Sequence, residues 1–447
     1  MSRRFLLAGV LVVLAATATQ AQVPFSRELM PTQAVLADGK PLTPLARVGL
    51  ERSWFTAVPL FNQERLLLVS MAGNLIFAQT SESFLHAYEA ESGRYLWTSH
   101  IGASALSALP VSLNSKQVFV TSGQTLTALN RHNGQTMWTI KLESMPSSAT
   151  AADEERVTVG TITGKVATYY LKNLYPAFFW QSGGPVTSRP ILAGPVIAFA
   201  SQDARVYVAV QDPSKLIFRY LTAGPISANM GTYGTRTLLV PSEDNNVYAI
   251  DLFTADTRWS FTSGAPMEQE PLVANKEVFA MNNRGYLTSI DAESGAVHWT
   301  LSTGGGRLLA VTEKRVYLES PFRDLYIVDR ETGNLVADAQ SVRERAGLNV
   351  REFNITPTNS LTGRIYLASS SGMLICLREL GQIKPYLLRD PSAKPFGYVP
   401  RQGEAEPGAP ASSAPTQEAA PPAEGGATPT TEDKAAGDKK PDAAPEG

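Results

Sequence analysis

The sequence predicts an all-β fold, an eight-bladed β-propeller of four-stranded antiparallel blades that is closed by the N-terminal strand. Three observations predict it: a recurring hairpin pattern, a nearly constant spacing between its copies, and short runs of β-branched and aromatic residues between them. Residues 88–98, 129–139 and 290–301 each contain a polar turn, a glycine, and a tryptophan four residues after that glycine. Such a turn joins two short strands.

The copies are spaced like the blades of a propeller. The tryptophan position falls at residues 54, 97, 138, 180, 218, 259, 299 and 337, where residue 218 is Phe and residue 337 is Ala. The mean step is about 40 residues, which is the period of four-stranded propeller blades. Between the copies, segments such as 116–129 read as strand, turn and strand, because the apolar runs are too short for helices and are interrupted by Gly, Asn and Asp.

The N-terminal strand is expected to complete the last blade. After residue 337 the sequence predicts strands at 353–358, 364–369 and 373–377, but no further glycine-tryptophan strand. Residues 52–58, which contain Trp54, supply the strand that this blade lacks. Because a small four-stranded sheet buries both faces only against neighbouring sheets, the ring must close. We therefore predict that segments more than 300 residues apart pair with each other.

The two ends of the chain differ from the repeats. Residues 1–21 combine Arg3 and Arg4, a short apolar run and a small-residue cleavage site, and we interpret them as a signal peptide. The pattern leaves open whether export follows the general secretory or the twin-arginine route. The residue directly after the cleavage site is not a cysteine, so we do not expect a lipoprotein. Residues 22–49 are a lead-in without clear periodicity, and residues 50–382 form the propeller.

Two further segments lie outside the repeat. Residues 339–352 are polar and long enough for a short helix between blades seven and eight. Residues 383–447 are interpreted as a disordered, acidic, Pro/Ala-rich tail; beyond residue 400 they carry nine carboxylates against four basic residues. Such a composition buries too little apolar area to offset the entropy lost on ordering.

Composition excludes several functions. The formal net charge is −2 and the pI about 6.2, which argues against nucleic-acid binding. The single cysteine, Cys376, excludes an internal disulfide and a CxxC metal site. The four histidines have no spacing typical of a metal site: His86, His100, His132 and His298. We therefore predict no metal, no cofactor and no catalytic residue. We also expect no membrane span in the mature chain, and we expect the protein to be a monomer.

The hairpin (Asp/Glu)-x-x-(Ser/Thr)-Gly-x-x-x-Trp, repeated about every 40 residues, resembles the pyrroloquinoline-quinone-type repeat of quinoprotein-like propellers. The resemblance covers residues 54–380 and is closest to the scaffold members that serve outer-membrane protein assembly. It implies that one aromatic residue per blade packs against the adjacent blade, here Trp54, Trp97, Trp138, Trp180, Phe218, Trp259 and Trp299. Quinoprotein dehydrogenases of the alcohol-oxidising type carry adjacent cysteines, which this chain lacks.

Propellers bind ligands at loop ends, because all blades deliver turns to a common surface. The turns between the second and third strands should share one face, and several are unusually polar. The candidate partner-binding residues are Asp203, Arg205, Glu243, Asp244, Asn282, Asn283, Arg284, Arg307, Arg323 and Asp324. A solvated turn without a binding role accounts for the same polarity.

The sequence therefore favours an exported, non-enzymatic propeller that binds a protein partner as a scaffold, in the periplasm, at the cell envelope or after secretion. The resemblance implies a partner from envelope or outer-membrane protein assembly. Two alternatives remain open at this point, a quinone-dependent oxidoreductase and a glycan or cell-wall binding module.

Overall fold

The computed structural model describes residues 43–102, 108–347 and 349–399. They form eight antiparallel blades, which confirms the predicted propeller. The predicted signal peptide at 1–21, residues 22–42 of the lead-in and residues 400–447 of the tail lie outside the described residues. In the described part, no helix is both long and apolar enough to cross a membrane.

The chain enters through a 3-10 helix at Leu45–Val48 and the strand β1 (Leu50–Ala57), and then builds the blades in sequence order. Blade 1 is β2 (Leu66–Ala72), β3 (Leu75–Thr80), β4 (Phe84–Glu89) and β5 (Tyr95–His100). Blade 2 is β6 (Ser112–Leu113), β7 (Gln117–Ser122), β8 (Thr125–Asn130) and β9 (Thr136–Lys141). Blade 3 is β10 (Ala151–Ala152), β11 (Arg156–Gly160), β12 (Lys165–Tyr170) and β13 (Pro176–Gln181). Blade 4 is β14 (Ile191–Ala193), β15 (Val196–Ser201), β16 (Arg205–Gln211) and β17 (Ser214–Leu221).

The second half of the ring follows the same order. Blade 5 is β18 (Gly231–Tyr233), β19 (Thr237–Pro241), β20 (Asn246–Asp251) and β21 (Thr257–Thr262). Blade 6 is β22 (Leu272–Ala274), β23 (Glu277–Met281), β24 (Tyr286–Asp291) and β25 (Val297–Ser302). Blade 7 is β26 (Arg307–Val311), β27 (Arg315–Glu319), β28 (Leu325–Asp329) and β29 (Leu335–Ala337). After the helix α1 (Ala339–Ala346) and a 3-10 helix at Val350–Glu352, blade 8 contains β30 (Ile365–Ala368), β31 (Met373–Glu379) and β1.

We name the strands of a blade a to d, from the centre of the ring outward. The a strands of neighbouring blades approach each other, for example β6 and β10. The middle strands are buried on both faces, whereas a d strand such as β5 alternates between exposed and buried residues. Because the strands alternate in direction, the b–c turns and the d–a connections lie on one face of the ring, the b–c face. The a–b and c–d turns lie on the opposite face, the a–b face.

The N-terminal strand closes the ring as predicted. β1 pairs with β31 in an antiparallel register that places Trp54 opposite Cys376 and Ala57 opposite Met373. An ion pair between Arg378 Nε and Glu51 Oε1 (2.7 Å) joins the same two strands. Trp54 therefore belongs to blade 8, although it precedes blade 1 in the sequence.

Blade 8 departs from the prediction at its innermost strand. The strand predicted at 353–358 is reduced to a single bridge between Ile355 and Ala368. Pro357 lies within the predicted strand, and proline cannot donate a hydrogen bond to a sheet. Residues 339–352 include the short helix α1, whose N-cap Asp338 accepts a hydrogen bond from Ser341 N (2.8 Å).

A tryptophan on one blade stacks on a glycine in the c–d turn of the next blade. Trp97, for example, lies against Gly134, where a Cβ atom would be only 2.4 Å from the indole ring. Its Nε1 donates a hydrogen bond to the carbonyl oxygen of Arg131, three residues before that glycine (2.9 Å). The same stacking and hydrogen bond join Trp54 to Gly93, Trp259 to Gly295 and Trp299 to Gly333. Each of these glycines has a left-handed φ of 68° to 76°.

The docking weakens where the glycine is replaced. The residue at the glycine position after Trp138 is Leu174, which also has a positive φ of 61°. The buried Nε1 of Trp138 has no hydrogen-bond partner within the described ranges. The corresponding residue after Phe218 is Ala255. A side chain at this position thus prevents the close stacking that glycine allows.

The predicted docking residue of blade 3, Trp180, packs against the core between blades 3 and 4, but the register gives the position of the other docking residues to Phe178. Trp97 and Trp138 occupy the third position of their d strands, immediately after a bulge, and in blade 3 that position is Phe178. Phe178 is buried, and Trp180 lies two residues further along and packs beside it with ring centroids 6.0 Å apart. Spacing did not distinguish the two residues, because alternate residues of a strand face the same side.

The described part of the predicted tail packs against the propeller. Residues 383–399, which we call the strap, cross the a–b face: Asn275 N of blade 6 donates to Leu388 O (2.8 Å), and Gly397 N donates to Thr235 O of blade 5 (2.7 Å). Leu388 is only 1% exposed. The prediction placed the end of the propeller at residue 382, because the composition of 383–447 is dominated by its distal part, whereas the compact unit extends to Val399.

Replacement of Gly134 by alanine should destabilise the ring. The new Cβ would clash with the indole of Trp97. The alanine would also have to adopt the left-handed φ that Gly134 has. We expect a loss of about 2–4 kcal/mol in the free energy of unfolding, measured by chemical denaturation. Gly123→Ala is the matched control, because Gly123 has a similar φ and nothing within 4 Å of its Cβ position. Equal losses in the two variants would contradict the stacking argument.

The strap should contribute to stability through Leu388. Leu388→Ala removes a buried side chain from the core between blades 6 and 7, and we expect a loss of about 2–4 kcal/mol in the free energy of unfolding. The neighbouring Leu387 is 43% exposed, so Leu387→Ala should cost less than about 1 kcal/mol. Thermal and denaturant unfolding of both variants would test this, and similar values for the two would argue against a docked strap.

Candidate functional site

The topology brings all ten candidate residues to the b–c face. Nine of them lie in or next to the b–c turns of blades 4 to 7, and Arg307 begins the a strand of blade 7 on the same face. Consecutive blades are neighbours in the ring, so these residues follow one arc of it. Their side chains nevertheless have different roles.

Asp203 links blade 4 to the d–a connection that precedes this blade. Its Oδ2 accepts hydrogen bonds from Gly183 N (2.8 Å) and from the hydroxyl of Tyr207 (2.5 Å). Gly184 also lies so close that a Cβ would be 2.9 Å from Asp203 N. Burial, and then the hydrogen bond to Asp203, raise the pKa of Tyr207, so the phenol remains the donor. Arg205 Nη1 lies 3.7 Å from the same carboxylate.

Asp244 makes the same contacts one blade further on. Its Oδ2 accepts from Ala223 N (2.8 Å) and from the hydroxyl of Tyr248 (2.7 Å), and its Oδ1 accepts from Asn246 N (3.0 Å). Burial and the hydrogen bond to Asp244 raise the pKa of Tyr248 to about 12. The repetition of this arrangement at a spacing of 41 residues indicates a structural role for both carboxylates.

Asn282 also links its blade to the preceding d–a connection, but from the turn position that Ser242 occupies in blade 5. Its side chain is buried, and Nδ2 donates to Ser263 O (3.1 Å). Oδ1 accepts from the backbone N–H groups of Arg284 (3.1 Å) and Tyr286 (2.9 Å), which shapes the turn. The Asn282 side chain therefore stabilises the fold, whereas the neighbouring Asn283 is exposed and donates a hydrogen bond to Glu268 Oε1 (3.0 Å).

Asp324 holds the insertion between blades 7 and 8. Its Oδ1 accepts from Arg343 Nη1 (2.6 Å), and its Oδ2 accepts from Arg351 Nη2 (2.8 Å). The hydrogen bond from Arg351, followed by the charge of Arg343, lowers the pKa of Asp324. Arg307 connects the same two blades, since its Nη1 donates to Thr356 O (2.8 Å).

The side chains of this face without a partner in the described residues are two arginines, the carboxylate of Glu243 and several apolar residues. Arg284 and Arg323 are exposed and form no ion pair within the described residues. Beside Arg323, Phe322 is 77% exposed, and further apolar residues lie on the same face at Leu221, Ile162 and Met145. Ile162 and Met145 are neighbours, because Ile162 N donates to Met145 O (3.1 Å).

The apolar residues were missed because the sequence analysis selected turns by polarity. A signal was present: Phe322 and Ile162 stand in short polar turns, where the alternation of a half-buried strand does not require an apolar residue. The described residues contain no group of three or more His, Cys, Asp or Glu side chains that could hold a metal ion.

Comparison with known proteins places the chain among propellers of one family. A family model described as outer membrane protein assembly factor BamB matches residues 45–173 and 179–394. A BamB of Moranella endobia (strain PCIT) is 22% identical over 231 residues. This alignment covers 52% of this chain and 52% of the relative, so the chain spans about half the length of the curated relative that it matches.

Solved structures show the same fold. The crystal structure of BamB from Moraxella catarrhalis superposes with a TM-score of 0.61 at 12% identity, covering 74% of this chain and 98% of that chain. The computationally designed Ika8 protein superposes with a TM-score of 0.58 at 13% identity, covering 73% of this chain and 99% of the designed one. At these identities the likeness concerns the fold alone.

The structural role of Asp244 can be separated from any binding role. Asp244→Ala leaves Ala223 N and the hydroxyl of Tyr248 without their acceptor, and we expect a loss of about 1–3 kcal/mol in the free energy of unfolding. Glu243→Ala, one residue earlier, should change stability by less than about 0.5 kcal/mol, since no side-chain hydrogen bond or ion pair of Glu243 is found within the described residues. Denaturant unfolding measures both. If Asp244→Ala proved as stable as wild type, the carboxylate would not fasten the blades.

Proposed function

The chain belongs to the family of outer membrane protein assembly factor BamB, and on this premise we propose that it is a non-enzymatic scaffold that binds a protein partner in outer-membrane assembly. The partner would be a component of the cell envelope or of the outer-membrane assembly apparatus. We propose that it contacts the b–c face of blades 3 to 7, and that the scaffold acts as a monomer, because its ring is closed by its own chain.

The exposed apolar side chains of the b–c face carry the proposal. Phe322 has the largest exposed fraction of any large hydrophobic side chain in the described part of the chain. It stands next to Arg323 and one blade away from Arg284, and neither arginine is needed by the fold. Aromatic residues and arginines are enriched at the centres of protein interfaces, because both bury a large area and make directional contacts.

The opposite face is less suited to a large partner. The strap crosses the a–b turns of blades 4 to 6, where Gly397 lies against Ala193 and Phe396 packs with the core of blades 4 and 5. A partner on that face would have to accommodate or displace the strap, whereas no described segment crosses the b–c turns of the same blades. Steric access therefore favours the b–c face.

The N-terminal sequence supports a location at the cell envelope. Residues 1–21 have the basic start, the short apolar run and the small residues before a cleavage site that are typical of a signal peptide. An exported propeller of this family would meet its partner in the periplasm, at the inner side of the outer membrane.

Site-specific cross-linking tests which face binds. We expect a photoreactive phenylalanine analogue in place of Phe322 to cross-link to a defined envelope protein in vivo. The same analogue in place of Tyr175, which is 69% exposed on the a–b face, is the matched control and should not. Adding Arg284→Glu and Arg323→Glu to the first variant should reduce the cross-linked product by at least about tenfold, because these residues would lie within the interface.

Two outcomes would contradict the proposal. One is equal cross-linking of the same protein from positions 322 and 175. The other is a cross-link from position 322 that the two charge reversals leave unchanged. Thermal unfolding of each variant should match that of wild type, since all four side chains are exposed, and this control separates a loss of binding from a loss of folding.

A further inference from the structure

A cavity of about 360 Å³ lies between blades 7 and 8, on the side of the a–b face. It is lined by residues of the entering chain (Arg47, Val48 and Gly49), of blade 7, of α1, and of the chain that leaves blade 8 (Glu379, Leu380 and Gln382). We call it the seam cavity, because it lies where the first and last segments of the ring meet.

The seam cavity exists because the docking motif is missing from this interface. Ala337 lies opposite Ile327 immediately after a bulge, which is the register position that Trp299 occupies opposite Ser289 in blade 6. Blade 7 therefore presents a methyl group where other blades present an aromatic ring. In blade 8, moreover, strands c and d are joined by no hairpin, because β1 comes from the other end of the chain. Val342 of α1 and Val48 pack into the same core as Ala337, and the seam cavity remains beside this core.

The inner wall of the seam cavity is apolar and its mouth is cationic. Tyr317 and Ala337 are buried, and Val48, Val336 and Leu380 add apolar surface. Arg47, Lys314 and Arg345 are exposed, and none of them forms an ion pair within residues 43–102, 108–347 and 349–399. They come from three separate parts of the fold: the 3-10 helix before β1, the a–b turn of blade 7, and α1.

The other charged groups of the lining are already engaged. Arg315 Nη1 pairs with Asp329 Oδ2 at 2.7 Å. The carboxylate of Glu379 accepts hydrogen bonds from Thr312 Oγ1 (2.6 Å) and from the hydroxyl of Tyr317 (3.3 Å). The cavity thus holds a surplus of three cationic groups around an apolar pocket large enough for a small ligand.

We propose that the seam cavity binds a small aromatic carboxylate. The flat ring would occupy the place left by the missing indole, against Ala337 and Leu380. The carboxylate would remain at the mouth, where Lys and Arg side chains bind it through charge-assisted hydrogen bonds. The site is independent of the partner surface on the b–c face, so either proposal can fail without the other.

Calorimetric titration of the full chain with indole-3-acetate tests the site. Indole serves as the ring-only probe and inorganic phosphate as the charge-only probe. We expect saturable binding of indole-3-acetate, with each control probe at least tenfold weaker. The double variant Lys314→Ala, Arg345→Ala should weaken binding of indole-3-acetate by at least tenfold, whereas Lys172→Ala, an exposed lysine in the c–d turn of blade 3, should not.

Ala337→Trp is the decisive variant, because it restores the side chain of the repeat and fills the cavity. It should abolish binding of indole-3-acetate, with folding verified by circular dichroism and thermal unfolding. Unchanged binding in Ala337→Trp, equally tight binding of phosphate or of indole, or an equal effect of Lys172→Ala would overturn the proposal. If Ala337→Trp does not fold, the exposed double variant still decides, since its two side chains pack against no core.

Discussion

The structure depends on the pairing of β1 with β31. Each blade of a propeller is a small sheet that buries its faces only against its two neighbours, so the core of the ring is continuous only if the first and last blades also meet. Here the register from Leu50 opposite Glu379 to Ala57 opposite Met373 joins the two ends of the ring. The same strand carries Trp54, which stacks on Gly93 of blade 1. One strand therefore completes blade 8 and also docks it onto blade 1.

The recurring glycine-tryptophan hairpin acts at two interfaces at once. The glycine receives the indole of the preceding blade, and the tryptophan four residues later docks onto the following blade, as Gly134 and Trp138 do on the two sides of blade 2. This explains why both residues recur at one spacing. The fold tolerates exceptions: Leu174 stands in place of a glycine, and Ala337 in place of a tryptophan. The second exception coincides with α1, which follows directly after the strand that contains Ala337.

Some polar residues of the b–c face stabilise the fold, and others are exposed to solvent. Asp203 and Asp244 have equivalent positions in two consecutive blades, and each accepts a hydrogen bond from the preceding d–a connection. Asn282 lies two positions earlier in the turn of blade 6 and donates a hydrogen bond to the preceding d–a connection. Arg284, Arg323 and Phe322 have no such role in the described structure and extend into solvent. A surface of this kind can change its exposed residues without loss of the ring, because the contacts that hold the blades together lie beneath them.

The sequence by itself determined the blade number, the strand order and the closure by Trp54's strand, because these follow from a repeat whose period and missing last strand are visible in the residues. It also placed the candidate turns on one face, since strand alternation alone decides this. Only the tertiary structure decided that Phe178 takes the register position of Trp97 and Trp138, that residues 383–399 lie across the ring, and that Asp203 and Asp244 are engaged in the fold. The physical reason is that these outcomes depend on contacts between segments some 20 to 160 residues apart, as between Gly183 and Asp203 or Thr235 and Gly397. A repeat pattern describes the strands and turns of each blade, but it does not describe which residues of other segments contact that blade.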